Sequence, residues 1–406
     1  MSTSLVYHAF GAKTYRYLRT EYLEGAIHLH IEKKDKHRWC TACRSRDITF
    51  DGNEMSTVKT LPIGRREVFL ILHLKVLVCR KCGARRLESR DVAEPRKSYT
   101  RAFARFALDL LREMTMYAAA VFLGVGWDLV KEILRSNLQR RADRRSFRKV
   151  RRIAVDEIAI RKGQDYMTVV LDLDTGHVLY AAEGNDAKCL EPFFRRLRRA
   201  HAKLEAVAMD MSEAYAKAVR EYWKKPVAVV HDHFHLISAM NRVIEAVRRD
   251  EQNRLEREGK QVLKGIRYLL LYGREKLAER KPEKLAKLDE QLATNETLNR
   301  IYLLKESLRL AWSHDTKQAA RDFLDDWIAE ARGVGNKQLK TFADTLEKNA
   351  ESALAWYDHP ITTGPLEGLN NKIKVLKRKA YGYRDMTFFA LRLLFIHEAK
   401  MELAGC

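Results

Sequence analysis

Four cysteines and a handful of carboxylates carry the chemistry legible in this 406-residue sequence. The cysteines form two C-x-x-C pairs, Cys40/Cys43 within Trp39-Cys40-Thr41-Ala42-Cys43-Arg44 and Cys79/Cys82 within Cys79-Arg80-Lys81-Cys82-Gly83. Two intervening residues let both thiolates of a pair face one tetrahedral centre. Four thiolates close that centre and leave no open position, which is the donor set of a structural Zn²⁺ site rather than a catalytic one. A redox C-x-x-C accounts for one pair but not two, and disulfides call for an oxidising compartment that no secretion signal supports. Gly83 suits a knuckle turn with positive φ. The 35 residues between Cys43 and Cys79 exceed the ~15–20 of a compact ribbon. The apolar run 68–78 reads as a strand entering the second knuckle, so an enlarged ribbon is expected, with His37 and His73 as bystanders.

The carboxylates suggest a second centre. Asp156 lies in the middle of the apolar segment 153–160 (IAVDEIAI), and Asp210 ends another, 206–210 (AVAMD). A buried ionised Asp is costly unless it is paired or binds metal, and a mid-strand carboxylate has no turn to serve. If the two strands are neighbours, both acids project at the carboxyl edge of one sheet. Hard cations such as Mg²⁺ or Mn²⁺ take such oxygens, and two of them ~3.5–4 Å apart can clamp the oxygens of a phosphodiester displacement. Asp232 ends a third strand, 227–232, and is a possible assisting ligand. Glu367 falls in the first turn of a helix opened by Gly364-Pro365. The helix dipole alone favours an acid there, but Asn371, Lys374 and Arg378 continue its face at +4, +7 and +11. Lys377, Arg378 and Lys379, with Tyr381 and Tyr383, add cations and stacking rings.

These residues need elements to hold them. Strands are expected at 153–160, 167–173, 177–182, 206–210 and 227–232, with helices at about 187–202 and 213–223. Three antiparallel strands followed by alternating helices and strands give a mixed α/β sheet in the order of a ribonuclease-H-like fold. Residues 234–356 carry apolar positions at helical spacing and read as a large α-helical insertion. Upstream, 116–133 (MYAAAVFLGVGWDLVKEI) has the layout of a helix-turn-helix. Ala120 lies at the crossing and Gly124 at the turn; Leu123, Val130 and Ile133 lock the pair, and a second helix from about Trp127 to Arg135 is placed for the major groove. Trp127, Lys131, Arg135, Arg140, Arg141, Arg144, Arg145 and Arg148 are the DNA-contact candidates here. The segment 135–152, with nine cations in 18 residues, reads as phosphate contacts or a linker helix.

Charge divides the chain in the same way. Residues 1–152 hold 33 Lys and Arg against 16 Asp and Glu, and the remainder 43 against 38. A basic front and a nearly neutral back suggest a polyanion-gripping module joined to something else. The longest apolar run is too short for a membrane span, and the first ten residues lack signal-peptide layout. A soluble, intracellular protein is expected.

With these pieces assembled, the chain resembles a DDE-type insertion-sequence transposase of the ISL-three-like branch. The resemblance rests on VDEIAIRKG around Asp156, VAMDMS around Asp210, VVHDHFHLI around Asp232 and EGLNNKIKVLKRKAYGYR from Glu367. It implies a catalytic triad of Asp156, Asp210 and Glu367 holding Mg²⁺ or Mn²⁺, with Asp156 preferred over Glu157. It also implies a layout of zinc-ribbon region 1–94, helix-turn-helix and basic linker 95–152, ribonuclease-H-like parts 153–233 and 357–406, and helical insertion 234–356. The front would bind the terminal inverted repeats of the element. Hydrolysis at the element end would free a 3′-hydroxyl, which then attacks target DNA in a second in-line displacement. Lys374, Lys377 and Arg378 would contact DNA beside the triad. Double-stranded DNA, at element ends and target, is the implied partner, with a homodimer or larger synaptic assembly in the bacterial cytoplasm at the nucleoid. A DNA-binding regulator with an inactive catalytic domain and a cellular ribonuclease-H-like nuclease are the alternatives.

Overall fold

In the computed structural model, residues 5–160, 165–259, 265–380 and 382–398 are described. The chain divides after Asp143 into a front unit and a back unit, the latter Arg144–His397. That break precedes the change in composition at Ile153, because Phe147 and Val150 already pack into the back unit's core.

The front unit begins with α1 (Leu5–Phe10), β1 (Tyr15–Leu23) and β2 (Ala26–Lys33), followed by β3 (Ile48–Ile63), β4 (Arg66–Cys79) and β5 (Arg85–Leu87). The sheet runs β1-β2-β4-β3, with β5 pairing β4. The long hairpin of β3 and β4 fills the interval between the two cysteine pairs, and β4 delivers Cys79 to the second knuckle. Its alternating Val68, Leu70, Leu72 and Leu74 are buried with Leu29, Ile31 and Val58, as expected for a sheet with one core face.

Three helices follow: α2 (Arg101–Leu110), α3 (Met116–Leu123) and α4 (Trp127–Arg144). Thr100 and Thr115 cap the first two through their side chains. Gly124 ends α3 at φ 60°, the left-handed conformation that favours glycine at a helix end. Ala120, Leu123, Val130 and Ile133 are all buried. The second helix runs on to Arg144, so half of the basic segment is helical rather than a separate linker.

The back unit is a five-stranded sheet of β6 (Arg152–Ala159), β7 (Tyr166–Asp172), β8 (Val178–Glu183), β9 (Ala206–Met209) and β10 (Ala228–His231). Its order is β10-β9-β6-β7-β8. The first three in sequence are antiparallel, whereas β9 and β10 run parallel to β6 and to each other. One face packs on α5 (Glu191–Arg199) and α6 (Glu213–Ala218), through Phe193, Phe194, Leu197 and Tyr215. The other face receives α14 (Gly364–Lys379) and α15 (Met386–Leu394).

Between β10 and α14 the chain is helical. It forms α7 (His233–Arg257), α8 (Arg274–Arg280), α9 (Pro282–Ala293), α10 (Glu296–Leu308), α11 (Lys317–Gly333), α12 (Lys337–Lys348) and α13 (Ala350–Leu354). These helices share their own core, from Leu236 and Met240 to Ala353 and Leu354. No described helix is long and apolar enough to cross a membrane.

Candidate active site and metal centre

Strand register places the acids. Residues 152, 153 and 154 of β6 pair with 206, 207 and 208 of β9. The same step count carries Asp156 beside Asp210. Val230 and His231 of β10 pair with Ala208 and Met209, so Asp232 stands beside Asp210 on the other side. The three aspartates thus form a row across three adjacent parallel strands, Asp156 within β6 and Asp210 and Asp232 just past the ends of β9 and β10. Side chains alternate faces along a strand, and the even-numbered neighbours Ala154, Ala208 and Val230 all face α14. The row therefore faces α14 as well, while Glu157 is turned to the other face, where it accepts from Asn185 Nδ2 at 3.1 Å.

Helix α14 is seated by Leu366, Leu369, Ile373 and Leu376, all buried against that sheet face. This i, i+3, i+7, i+10 stripe is worth ~1.5–3 kcal/mol per side chain. Two polar contacts fix it over the row. At its start, Asp232 Oδ2 accepts from Thr363 N at 2.7 Å and from Thr363 Oγ1 at 2.6 Å. Two turns on, Asn370 Nδ2 donates to Asp156 Oδ2 at 3.0 Å. Residues 363 and 370 are ~10 Å apart along a helix, and β10 and β6 are two strand spacings apart, ~9.5 Å. The helix spans the row, and Glu367 lies on it between the two anchors, four residues after Thr363 and three before Asn370.

Each acid has a different environment. Burial pushes the Asp156 carboxyl above the usual range; the Glu157 N–H and Asn370 amide work against this, with nearby His235, and the charge of Asp210 adds to it. Asp156 Oδ1 accepts from Glu157 N at 2.8 Å, and Asp210 Oδ1 from Ser212 N at 3.0 Å. Glu367 is exposed. Asp232 is 3% exposed and caps α7 through Phe234 N at 2.9 Å. With Oδ2 bonded to Thr363, it holds structure in place rather than presenting open oxygens.

The donor set fits a hard cation. It is all oxygen, it places two carboxylates side by side, and it includes Asn370 Oδ1, a buried acceptor with no hydrogen-bond partner. Among the described residues, however, only the four cysteines bring three or more ligand atoms within 4.8 Å of one another. The structure joins Asp156 to Asp210 and brings the helix of Glu367 over them without gathering all three acids that tightly.

The cysteine cluster is tighter. Cys40 and Cys82 Sγ are 3.7 Å apart, and Cys43 and Cys79 Sγ 3.5 Å. Sulfurs ~2.3 Å from a tetrahedral zinc stand ~3.8 Å from one another, so the four fit that ion. The knuckles match in detail. Arg44 N donates to Cys40 O and Gly83 N to Cys79 O, each at 2.9 Å, with φ 63° at Arg44 and 69° at Gly83. The backbone N–H groups of Cys43 and Ala42 hold the Cys40 thiol down to about 6. His73 instead bonds His30, Nε2 to Nδ1, at 2.9 Å.

The cations expected to meet DNA have different surroundings. Lys131 lies over the Trp127 ring, 5.3 Å from its centroid, and Arg140 pairs with Glu94 at 2.7 Å. Arg141, Arg144 and Arg148 are exposed, as are Lys374 and Arg378; Arg135 is exposed on α4. Arg145 is engaged within the back unit, bonding the Val178 and Leu394 carbonyls and covering the Phe395 ring. Lys377 Nζ donates to Ile160 O. Tyr383 stacks on Phe389, with centroids 4.5 Å apart, so it is a core ring rather than a platform for bases. Tyr381, the Lys379 side chain and 161–164 of the first motif lie outside the described residues. Asn370 and His235 were not singled out by sequence. Asn370 is one place from the Asn371 that helical spacing favours, and His235 sits in an ordinary helical stretch.

A family profile described as a transposase, of the ISL3 DDE type, matches residues 153–393. The chain is 32% identical over 371 residues to the transposase for insertion sequence element IS1001 of Bordetella parapertussis, covering 90% of each. It is 28% identical over 400 residues to the transposase for insertion sequence element IS1557 of Mycobacterium tuberculosis, covering 91% of this chain and 88% of that one.

Proposed function

The chain belongs to the ISL3 family of DDE transposases, and from that premise we propose that Asp156, Asp210 and Glu367 are the catalytic triad of a DNA transposase. The observation that carries this reading is the in-register row of aspartates beneath α14, with Glu367 between the two anchors of that helix. The strand order, 3-2-1-4-5 counted within the back unit, supports a ribonuclease-H-like fold interrupted by the helices α7–α13.

Bound Mg²⁺ or Mn²⁺ would supply Lewis-acid stabilisation of the attacking and leaving oxygens in an in-line phosphodiester displacement. Asp156, Asp210 and Glu367 would hold it, with Asn370 Oδ1 as a further oxygen. Asn370 Nδ2 orients Asp156, and Asp232 seats the start of α14. Lys374 and Arg378, exposed along the same helix, suit phosphate contact next to the acids.

In the front unit, the four cysteines hold a structural zinc and α3–α4 act as a helix-turn-helix. Trp127, Lys131 and Arg135 lie towards the start of its second helix, and Arg141 and Arg144 farther along for phosphates. This unit binds the terminal inverted repeats, and a homodimer or larger assembly brings two ends together.

Cleavage of a duplex carrying the element's terminal repeat, with Mn²⁺, tests the triad. Asp210→Asn and Glu367→Gln each abolish cleavage and leave end binding at the wild-type level. Wild-type cleavage by either variant overturns the assignment.

A further inference from the structure

The edge of the back sheet opposite the carboxylate row carries a groove of about 1350 Å³. Its walls come from the segment leading into β6, the β7–β8 turn, the segment leading into β9 and residues 358–360 ahead of α14. These walls are anchored. Phe147, Val150 and Ile153 are buried at three-residue spacing, which leaves Arg148, Lys149, Arg151 and Arg152 exposed. Ala202, Leu204 and Ala206 are buried on alternate positions and leave Lys203 exposed beside them. Glu205 N donates to Arg151 O at 2.8 Å, tying the two walls together.

Charge in this groove is not balanced. Each of its three acids already has a cation. Arg151 Nε donates to Glu205 at 2.8 Å, Arg152 Nε to Asp174 at 2.7 Å, and Lys317 pairs with Asp358 at 2.6 Å. Arg148, Lys149 and Lys203 have no acidic partner among the described residues and face open solvent on fixed backbone. Along β6 the groove is four residues from Asp156, ~13 Å, and it opens at the other end of the strands. A phosphodiester seated at the carboxylate row cannot also lie in it.

We propose that this groove binds the sugar–phosphate backbone of a second DNA duplex, distinct from the one cut at the carboxylate row. This rests on the reading of the chain as a DNA transposase. Fixed, uncompensated cations recognise phosphates without reading sequence, which is what holding an arbitrary duplex requires.

The test uses the full chain without added magnesium or manganese, so binding is read independently of cleavage. The chain is saturated with an element-end duplex and then titrated with a labelled 30-base-pair duplex of unrelated sequence, from about 50 to 200 mM salt. Each phosphate contact contributes about 0.9 to the slope of log K against log salt, so three contacts make the wild type lose roughly 40-fold more affinity over that range than Arg148→Ala/Lys149→Ala/Lys203→Ala. The charge-keeping variant Arg148→Lys/Lys149→Arg/Lys203→Arg retains the wild-type slope, which separates lost charge from lost folding. Equal slopes for wild type and the alanine variant overturn the proposal. So does an equal loss in Lys276→Ala/Lys284→Ala/Lys287→Ala, on helices α8 and α9. A slope change confined to a longer element-end duplex, absent for the second duplex, assigns the groove to the flank of the cut DNA and overturns it as well. Failure of the triad variants to block cleavage would leave these slopes unaffected, so the two readings fail separately.

Discussion

Replacing Asp232 by Asn asks whether α14 is held by the residue that ends β10. The carboxylate is buried; Oδ1 caps α7, and Oδ2 accepts two bonds from Thr363, at 2.7 and 2.6 Å. An amide that keeps its oxygen on Phe234 N turns its NH₂ towards the Thr363 N–H. One charge-assisted bond then becomes two donors facing each other. Hydrogen bonds to charged groups contribute ~1.5–3 kcal/mol, and an orphaned buried donor costs ~1–3 kcal/mol. The Thr363 hydroxyl can rotate to accept from the new amide, which limits the net loss to about 2–3 kcal/mol. In a unit of this size each kcal/mol lowers Tm by ~2–4 °C, so a fall of about 4–12 °C is expected. End cleavage should fall with it while end binding is unchanged, because Glu367 rides on the released helix. Thr363→Val, which removes only the hydroxyl, should show roughly half the fall in Tm, ~1–1.5 kcal/mol. Scanning calorimetry and Mn²⁺-dependent cleavage read both effects. If Asp232→Asn keeps the wild-type Tm and cleavage, the latch is refuted. If Thr363→Val is neutral while Asp232→Asn loses cleavage and Mn²⁺ affinity, Asp232 is a cation ligand instead.

Two further outcomes follow from the electrostatics. Burial holds Asp156 above the usual carboxylate range, so the folded chain binds that proton more tightly than the unfolded chain does. Its contribution to stability is therefore greatest at low pH and falls as pH rises from the ordinary carboxylate value through the raised one. In metal-free buffer Asp156→Asn should raise Tm near neutral pH and flatten its pH dependence through the acid range; an unchanged or lower Tm there contradicts this. For the cysteine cluster, metal analysis should find one zinc per chain. Cys79→Ser/Cys82→Ser should lose both the zinc and end binding, and full end binding by zinc-free protein would refute a structural ion.

Much of this site was legible because the residues that make it are exceptions to local rules. Asp156 interrupts a buried strand, and paired C-x-x-C motifs have few uses in one chain, so the acid that meets Asn370 and the four clustered cysteines both stand out in the sequence. The strands of the back sheet fall within about two residues of the expected spans, since their apolar runs are bounded by turn residues. Contacts between distant segments were not legible. Asp232 looked like a spare ligand because sequence shows only that a strand ends there, whereas its partner Thr363 is 131 positions away. Arg145 stood in a basic run, and nothing local distinguishes a guanidinium bonded to the Val178 and Leu394 carbonyls from one facing solvent. Asn370 carries no such local signal: helical spacing from Glu367 selects Asn371, whereas the anchor on β6 selects the neighbouring position.

The bonds between Asp232 and Thr363 also bear on how a long insertion can separate the second and third acids of the proposed triad. The chain leaves the sheet after β10 at Asp232, and Thr363, at the start of α14, bonds back to that residue. Entry and exit of the helical insertion are therefore bonded to each other, with Ala355, Trp356 and Ile361 packed beside them on the same sheet face. The insertion also ties its last turns to its middle: Tyr357 Oη donates to Ala311 O at 2.9 Å and Trp312 Nε1 to Ala353 O at 3.2 Å, over a core that includes Leu236 and Leu354. Loop-closure entropy grows only slowly with length, ~0.6 kcal/mol per doubling. Once the insertion has folded on itself, its length adds little to the cost of placing α14. What the proposed triad would require of those helices is a fixed distance between two ends, and the Asp232–Thr363 bonds help to set it. Changes within α8–α12 that preserve the α7 and α13 ends should accordingly leave Glu367 in place, whereas loosening either end should release it.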